Sequence, residues 1–157
     1  MNFAKADLAK HLSVILADLT VYKLTSQGFH WNAKGPLFPQ FHEFFGELYE
    51  DAEGAIDPTG ENIRKLGFDA PYTLGDFLTL ASAEPRVAVG DPIEMSRVLH
   101  ELNENLVIHL TVAFEVANAI NEQGIADFLA GRIDMHNKWV WQLGTICGSD
   151  ATSLSTF

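Results

Sequence analysis

Two histidines and two carboxylates are the side chains of this chain whose types and spacing suit a metal ion. His30 and His42 lie on either side of a Gly-Pro pair in the stretch GFHWNAKGPLFPQFHEFF. Asp57 and Glu61 are spaced i,i+4, which places both carboxylates on one face of a helix. Imidazole and carboxylate are ligands for iron, zinc or manganese. Each pair also has an ordinary explanation, as hydrogen-bonded histidines at helix ends and as solvated surface acids.

The distance along a helix prevents one chain from joining all four side chains at one ion. His42 and Asp57 belong to the same predicted helix, and fifteen residues at 1.5 Å each separate them by roughly 22 Å. Metal–ligand bonds are only about 2 Å long. Two chains can form the site if their second helices pack antiparallel about a two-fold axis. His42 of each chain then meets Asp57 and Glu61 of the other, which gives two identical sites per dimer.

Other catalytic motifs are absent from the sequence. No glutamate has a histidine three positions later, so the Glu-x-x-His pair of an intrachain di-iron bundle is missing. His42-Glu43 is not the start of a His-Glu-x-x-His zinc motif, because position 46 is Gly46. We also find no Walker loop, dinucleotide fingerprint or Gly-x-Ser-x-Gly elbow, which excludes the common hydrolase and nucleotide-binding signatures.

Composition indicates one acidic domain over residues 1–157. The 21 acidic and 10 basic residues give a net charge of −11, a balance that repels phosphate backbones and attracts cations. Seven of the acids fall between Pro39 and Arg64 with no lysine or arginine among them. Without a signal peptide, a membrane-length apolar run or more than one cysteine, a cytoplasmic protein is expected.

Helical periodicity predicts an all-α, ferritin-like four-helix bundle with a short extra helix in the long connection between helices 2 and 3. The predicted helices run from Asp7 to about Trp31, Leu37 to Leu66, Tyr72 to Leu80, Pro92 toward Gly124, and Ile125 to Gly148. Gly67 suits a helix C-terminus, and Asp91 before Pro92 suits a helix start. Pro58 lies inside the second helix, where a kink is expected.

Several segments resemble the Dps family, the mini-ferritins. These are HWNAKGPLFPQFHEFF, the pair Asp57 and Glu61, NIRKLG, YTLGDFL and ADFLAGRIDMHNKWVWQL, which together span nearly the whole chain. The resemblance implies a hollow homo-dodecamer that oxidises Fe(II), preferably with hydrogen peroxide and alternatively with dioxygen. It implies that ferric mineral is stored inside, and that the ferroxidase sites are shared between two-fold-related subunits.

The resemblance also assigns roles to individual residues. His30 and His42 match the histidine ligands of one subunit, and Asp57 and Glu61 match the carboxylates of its partner. Trp31 matches the tryptophan beside the site, an electron donor or radical trap, and an interfacial packing role is the alternative. Iron is the expected metal, with zinc as a possible substitute.

More acidic residues resemble those that guide iron elsewhere in the shell. Glu122 and Asp127 resemble the acids of three-fold entry pores, although acids are also common at helix starts. Glu43, Glu47 and Glu50 are candidates for mineral nucleation, with ordinary surface exposure as the alternative.

Two departures from the family pattern affect the expected function. Gly46 stands where the family usually has an aspartate ligand, and Glu47 is rotated about 100° around the helix. One metal position should therefore be held well and a second weakly or through water. The alternative function is a metal-binding shell with impaired oxidation.

DNA binding is not expected, because the ends of the chain lack the lysine-rich tails of DNA-binding members. Only Lys5 and Lys10 lie near the start, and GSDATSLSTF at the end has no base. A nucleoid-associated protein is therefore the least favoured reading.

Overall fold

The computed structural model of the protein describes residues 3–148, which form five α-helices and no strand. The helices are α1 (Phe3–Asn32), α2 (Phe38–Lys65), α3 (Leu74–Leu80), α4 (Pro92–Ala119) and α5 (Gln123–Cys147). The prediction of a four-helix bundle with a short helix in the long connection is confirmed. The base-free tail lies outside the described residues from position 149 onward.

Two helical hairpins build the bundle. Residues 33–37 join α1 to α2, which pack along each other, and residues 120–122 join α4 to α5 in the same way. The long connection crosses over between the hairpins, and its helix α3 packs on α1. The largest fully buried side chains come from α1, α2 and α4 and include Leu12, Ile15, Leu19, Tyr22, Phe45, Leu48, Leu99 and Leu106. None of the helices within residues 3–148 is long and apolar enough to cross a membrane.

The predicted helix ends differ from the observed ones by a few residues, and local hydrogen bonds explain two of the differences. The short helix starts at Leu74 because the Thr73 side chain accepts a hydrogen bond from the amide of Asp76. The helix α4 stops at Ala119 because Asn121 adopts a left-handed conformation with φ of 60°. The amide of Glu122 then donates to the carbonyl of Ala117, as in a Schellman motif.

Other end signals act as predicted. The Asp91 carboxylate accepts a hydrogen bond from the amide of Ile93 at the start of α4. Gly67 and Gly148 adopt positive φ after α2 and at the end of α5.

Pro58 lies within α2, which continues as one α-helix to Lys65.

Candidate metal centre

The structure brings His30 and His42 into direct contact. The Nδ1–H group of His30 donates to the backbone carbonyl of His42 at 2.5 Å, and that of His42 donates to the carbonyl of His30 at 2.8 Å. The two rings stack with centroids 3.8 Å apart and planes inclined by 16°. The two imidazoles therefore join the end of α1 to the start of α2 through these hydrogen bonds.

The break between the helices makes one of these carbonyls available. In a continuing helix, the amide of Lys34 would bond to the carbonyl of His30. Here the amide of Lys34 donates instead to the carbonyl of Gly90, at 2.9 Å, while Gly35 turns the chain with φ of 108°. The freed carbonyl of His30 accepts the hydrogen bond from His42.

The reciprocal hydrogen bonds fix the tautomer of both histidines. A backbone carbonyl can only accept, so the proton on each ring lies at Nδ1. The Nε2 atoms of His30 and His42 then carry the lone pairs, and neither has a hydrogen-bond partner within residues 3–148. An imidazole oriented through one nitrogen and open at the other is the usual form of a metal-ligating histidine.

Aromatic rings surround the histidine pair. Phe38 packs against His42 at 5.0 Å between centroids, and Tyr49 meets the edge of His30 at 5.3 Å. Phe29, the buried residue before His30, packs against Phe45 of α2 with ring centroids 6.2 Å apart. Trp31 lies on the outer side and is 66% exposed. The histidine pair therefore packs against aromatic side chains, and the exposed indole of Trp31 lies next to it in the chain.

Asp57 and Glu61 form a second, separate half of the candidate centre. Both are exposed on α2 and line an open groove of about 330 Å³ together with Arg64, Tyr72 and Phe77. Neither carboxylate makes an ion pair within residues 3–148. Across the same residues, no three histidine, cysteine, aspartate or glutamate side chains lie close enough to hold one metal ion. A single subunit thus carries two incomplete halves.

The remaining candidate residues are partly or fully exposed, and only one of them forms an ion pair with another residue of the described part of the chain. Glu122 forms an ion pair with Lys5 at 2.7 Å, which neutralises part of its charge. Asp127, Glu43, Glu47 and Glu50 are exposed and make no ion pair with a described residue. Their assignment to pores or nucleation sites stays a prediction.

A buried polar network in the bundle was missed by the sequence reasoning. Asp51, one of the seven acids of α2, accepts two hydrogen bonds from Arg132, at 3.0 and 2.7 Å, and one from the indole of Trp139 at 3.0 Å. Burial alone would raise the pKa of Asp51, but these hydrogen bonds and the guanidinium charge hold that pKa below its usual range. The positive partner of this acid therefore lies inside the protein.

His136 continues the network and is fully buried. Its Nε2 accepts from Arg132 at 2.8 Å, and its Nδ1–H donates to the side-chain carbonyl of Asn103 at 2.7 Å. Burial, followed by the nearby guanidinium charge, lowers the pKa of His136 to about 3. Burial likewise raises the pKa of Tyr22, whose ring packs 5.9 Å from that of His136. The i,i+4 spacing of Arg132 and His136 on one helix was the feature of the sequence that could have indicated this network.

This network makes the bundle interior an unsuitable metal site. The guanidinium of Arg132 contributes a fixed positive charge there, and Asp51 already accepts three hydrogen bonds. His136 has both ring nitrogens engaged. The candidate metal ligands that remain are those of the two halves described above.

The network predicts that stability falls as the pH drops below about 6.5. The folded-state pKa of His136 lies below its unfolded value of 6.5, so the unfolded chain binds more protons in this range. Full stabilisation is present above pH 6.5 and is lost progressively toward pH 3. From pH 7 to pH 5 we expect a loss of about 2 kcal/mol of unfolding free energy, a fall of roughly 4–8 °C in Tm.

Thermal unfolding at fixed protein concentration, repeated between pH 7 and pH 5, measures how Tm depends on pH. A His136→Gln variant removes the titrating group, so its Tm should change less between pH 7 and pH 5 than that of the parent. Equal slopes in the two proteins would contradict the assignment of the acid sensitivity to His136.

Comparison with known proteins supplies relatives over most of the chain. The family model described as the ferritin-like domain matches residues 9–152. A DNA protection during starvation protein of Brevibacillus brevis is 33% identical over 144 residues, covering 88% of this chain and 96% of the relative. The crystal structure of a Dps protein from Bacillus brevis superposes with a TM-score of 0.88 at 30% identity, covering 92% of this chain and 97% of that one.

A more distant structure shows the same fold. The Vibrio cholerae DPS protein, described as a member of a broad superfamily of ferritin-like diiron-carboxylate proteins, superposes with a TM-score of 0.88 at 24% identity. The alignment covers 91% of this chain and 90% of that one.

Proposed function

Because this chain belongs to the Dps family of ferritin-like proteins, we propose that it is an iron-storing ferroxidase. Subunits oxidise Fe(II) at sites shared across a two-fold axis and keep the ferric product inside a hollow dodecamer. The observation that carries the proposal is the division of the metal ligands into two open halves on one subunit. The description of the Vibrio cholerae relative as a diiron-carboxylate protein supports iron as the metal.

The two halves have complementary chemistry. His30 and His42 offer two nitrogen donors beside aromatic side chains. Asp57 and Glu61 offer two carboxylates that line a groove and make no ion pair within residues 3–148. When the histidines of one subunit face the carboxylates of its partner, the four ligands carry a charge of −2, which neutralises one divalent cation. Borderline metals such as Fe(II) and Zn(II) suit this mixture of nitrogen and oxygen ligands, so Zn(II) should compete for the site.

Hydrogen peroxide is the proposed oxidant. Two Fe(II) ions each give one electron to one peroxide molecule, which takes up two protons and leaves as two waters. Four ligands suffice for one iron per site, so the second electron comes from a weakly held second ion or from the exposed indole of Trp31. Dioxygen is the slower alternative oxidant.

The exposed acids give the product a route and a place to collect. Glu43, Glu47 and Glu50 are free of ion pairs in the described part of the chain, so they can attract Fe(III) as nucleation sites. Glu122 and Asp127 would line the entry pores. Protection of DNA, for which the Brevibacillus relative is named, then comes from removing iron and peroxide. Direct DNA binding is disfavoured by the net charge of −11.

Subunit mixing tests the shared site directly. A His42→Ala subunit keeps its carboxylates, and a Glu61→Ala subunit keeps its histidines, so each variant alone should lack accelerated oxidation. In a mixed dimer, one of the two sites combines the intact halves. Random reassembly of equal amounts should therefore restore about a quarter of the parent rate.

The measurement is the rise of ferric absorbance after Fe(II) and peroxide are added to each apo-protein. Mixing His42→Ala with His30→Ala is the control, because both lesions lie in the same half and no intact site can form. Recovery in the control mixture, or none in the test mixture, would contradict a site shared between subunits. If the parent itself binds iron without accelerating oxidation, the alternative of a metal-binding shell with impaired ferroxidase activity replaces this proposal.

A further inference from the structure

One nitrogen of the Arg132 side chain lies between a carboxylate and an imidazole in the interior of the bundle. Its Nη2 group donates to Oδ2 of Asp51 at 2.7 Å and to Nε2 of His136 at 2.8 Å. The other terminal nitrogen, Nη1, donates to Oδ1 of Asp51 at 3.0 Å. Two oxygens and one nitrogen with lone pairs therefore converge on this guanidinium, and the same atom types are ligands for divalent metal ions.

The hydrogen bonds behind the carboxylate and the imidazole would orient both groups for a metal ion as well. The side-chain amide of Asn103 donates to the carbonyl of Leu99 at 2.8 Å, so its oxygen faces His136 and accepts from Nδ1–H at 2.7 Å. The lone pair of His136 is therefore at Nε2. The indole of Trp139 holds Asp51 through a hydrogen bond of 3.0 Å. Neither contact depends on the guanidinium, and contacts of this kind orient the ligands of metal sites.

A metal ion in place of the guanidinium would require only small movements of these ligands. Bonds from zinc to imidazole nitrogen or carboxylate oxygen are about 2.0–2.2 Å long, so each ligand atom would approach by about 0.5–0.8 Å compared with its distance from Nη2. The guanidinium is not fully satisfied itself, because its buried Nε–H has no hydrogen-bond acceptor among residues 3–148. The volume that it fills would hold water molecules to complete the coordination of a metal ion.

Charge is what separates this pair of side chains from a metal site. The guanidinium is protonated at every pH at which the protein is folded, and the Arg132 side chain is only 11% exposed. A divalent ion brought next to this charge would be repelled strongly, since water screens charges poorly in the interior. We propose that Arg132 is a built-in cation that occupies a carboxylate–imidazole metal site formed by Asp51 and His136, and that it keeps divalent ions out of the subunit interior. The inference goes beyond the proposed function, because neither ligand belongs to the shared site.

Co(II) binding to two variants that differ in charge tests the proposal on the assembled protein. Arg132→Gln removes the charge and keeps an amide donor, whereas Arg132→Lys keeps the charge and loses the two-pronged contact. Both are made in the His42→Ala protein, so that the shared site contributes little. We expect Arg132→Gln to bind one additional Co(II) per subunit, at least about 10-fold more tightly than Arg132→Lys does. Calorimetric titration gives the affinity and the number of ions, and the visible absorption of Co(II) reports its ligands.

Two further measurements connect the added binding to the interior. Adding His136→Gln to the Arg132→Gln protein should remove the additional Co(II), because the imidazole ligand is lost. Co(II) at a hundred times its dissociation constant should raise the Tm of Arg132→Gln by at least about 5 °C and that of Arg132→Lys by much less. If Arg132→Gln does not assemble, Arg132→Met carries the same test, since it also removes the charge.

The possible outcomes separate this inference from the proposed function. Equal Co(II) binding by Arg132→Gln and Arg132→Lys, or added binding that persists with His136→Gln, would overturn the role of Arg132. If His42→Ala alone binds Co(II) as tightly as the parent does, the proposed shared site fails instead. The comparison between the two Arg132 variants remains decisive in that case, because both carry the same substitution at His42.

Discussion

Replacing His42 by alanine should reduce peroxide-driven Fe(II) oxidation to nearly the protein-free rate. The change removes one of the two proposed nitrogen ligands and also the hydrogen bond and ring stack that orient His30. Loss of an orienting group alone lowers metal affinity about 10–100-fold, so loss of a ligand together with its orienting effect should lower it by at least about 100-fold. The ferric absorbance after mixing gives the rate, and calorimetry with Co(II) gives the affinity.

The effect should be confined to the metal centre. His42 is only half-buried, so its removal should change the Tm of the metal-free protein little. His109→Ala is a matched control, because His109 is a half-buried histidine of α4 outside both halves of the candidate centre. Its oxidation rate should equal that of the parent. A His42→Ala protein that still oxidises iron at the parent rate would end the ferroxidase proposal.

Local signals made most of the fold predictable. The Asp91-Pro92 start and the glycine after α2 each have a defined hydrogen-bonding or backbone role, and the structure places them at those helix ends. The Asn121 stop was harder to predict, because asparagine only sometimes takes the left-handed conformation. The weaker signal at Asn121 therefore led to a larger error in the predicted end of α4.

The candidate centre was predictable in its residue types but not in its detailed geometry. Spacing along α2 already separates His42 from Asp57, whereas the reciprocal ring-to-carbonyl bonds depend on the path of Lys34 toward Gly90. That contact joins residues far apart in sequence.

The buried network was not predictable because its members look like surface residues in sequence. Asp51 belongs to a run of acids, and the nearby Glu53 does pair with Lys23 at the surface, at 3.5 Å. Only the packing of α5 against the bundle shows that Asp51 faces Arg132 in the interior. Two acidic residues two positions apart on α2 therefore have different energetic roles.

Replacing Asp51 by alanine should lower the free energy of unfolding by about 3–5 kcal/mol, the usual effect of removing one partner of a buried ion pair. Asp51 and Arg132 are only 18% and 11% exposed, so the remaining guanidinium cannot be rehydrated without opening the bundle. The indole of Trp139 also loses its acceptor. Thermal unfolding of the metal-free protein at fixed concentration should show Tm lower by roughly 6–20 °C.

Two further variants identify the cause of that loss. Glu53→Ala removes an acid whose side chain is 61% exposed and which pairs with Lys23 at 3.5 Å, so it should change the unfolding free energy by less than about 1 kcal/mol. Asp51→Leu combined with Arg132→Met removes both buried charges and should recover at least half of the stability lost in Asp51→Ala, because no buried charge is left uncompensated. If the double variant is less stable than Asp51→Ala, the destabilisation comes from lost hydrogen bonds and packing rather than from a buried unpaired charge.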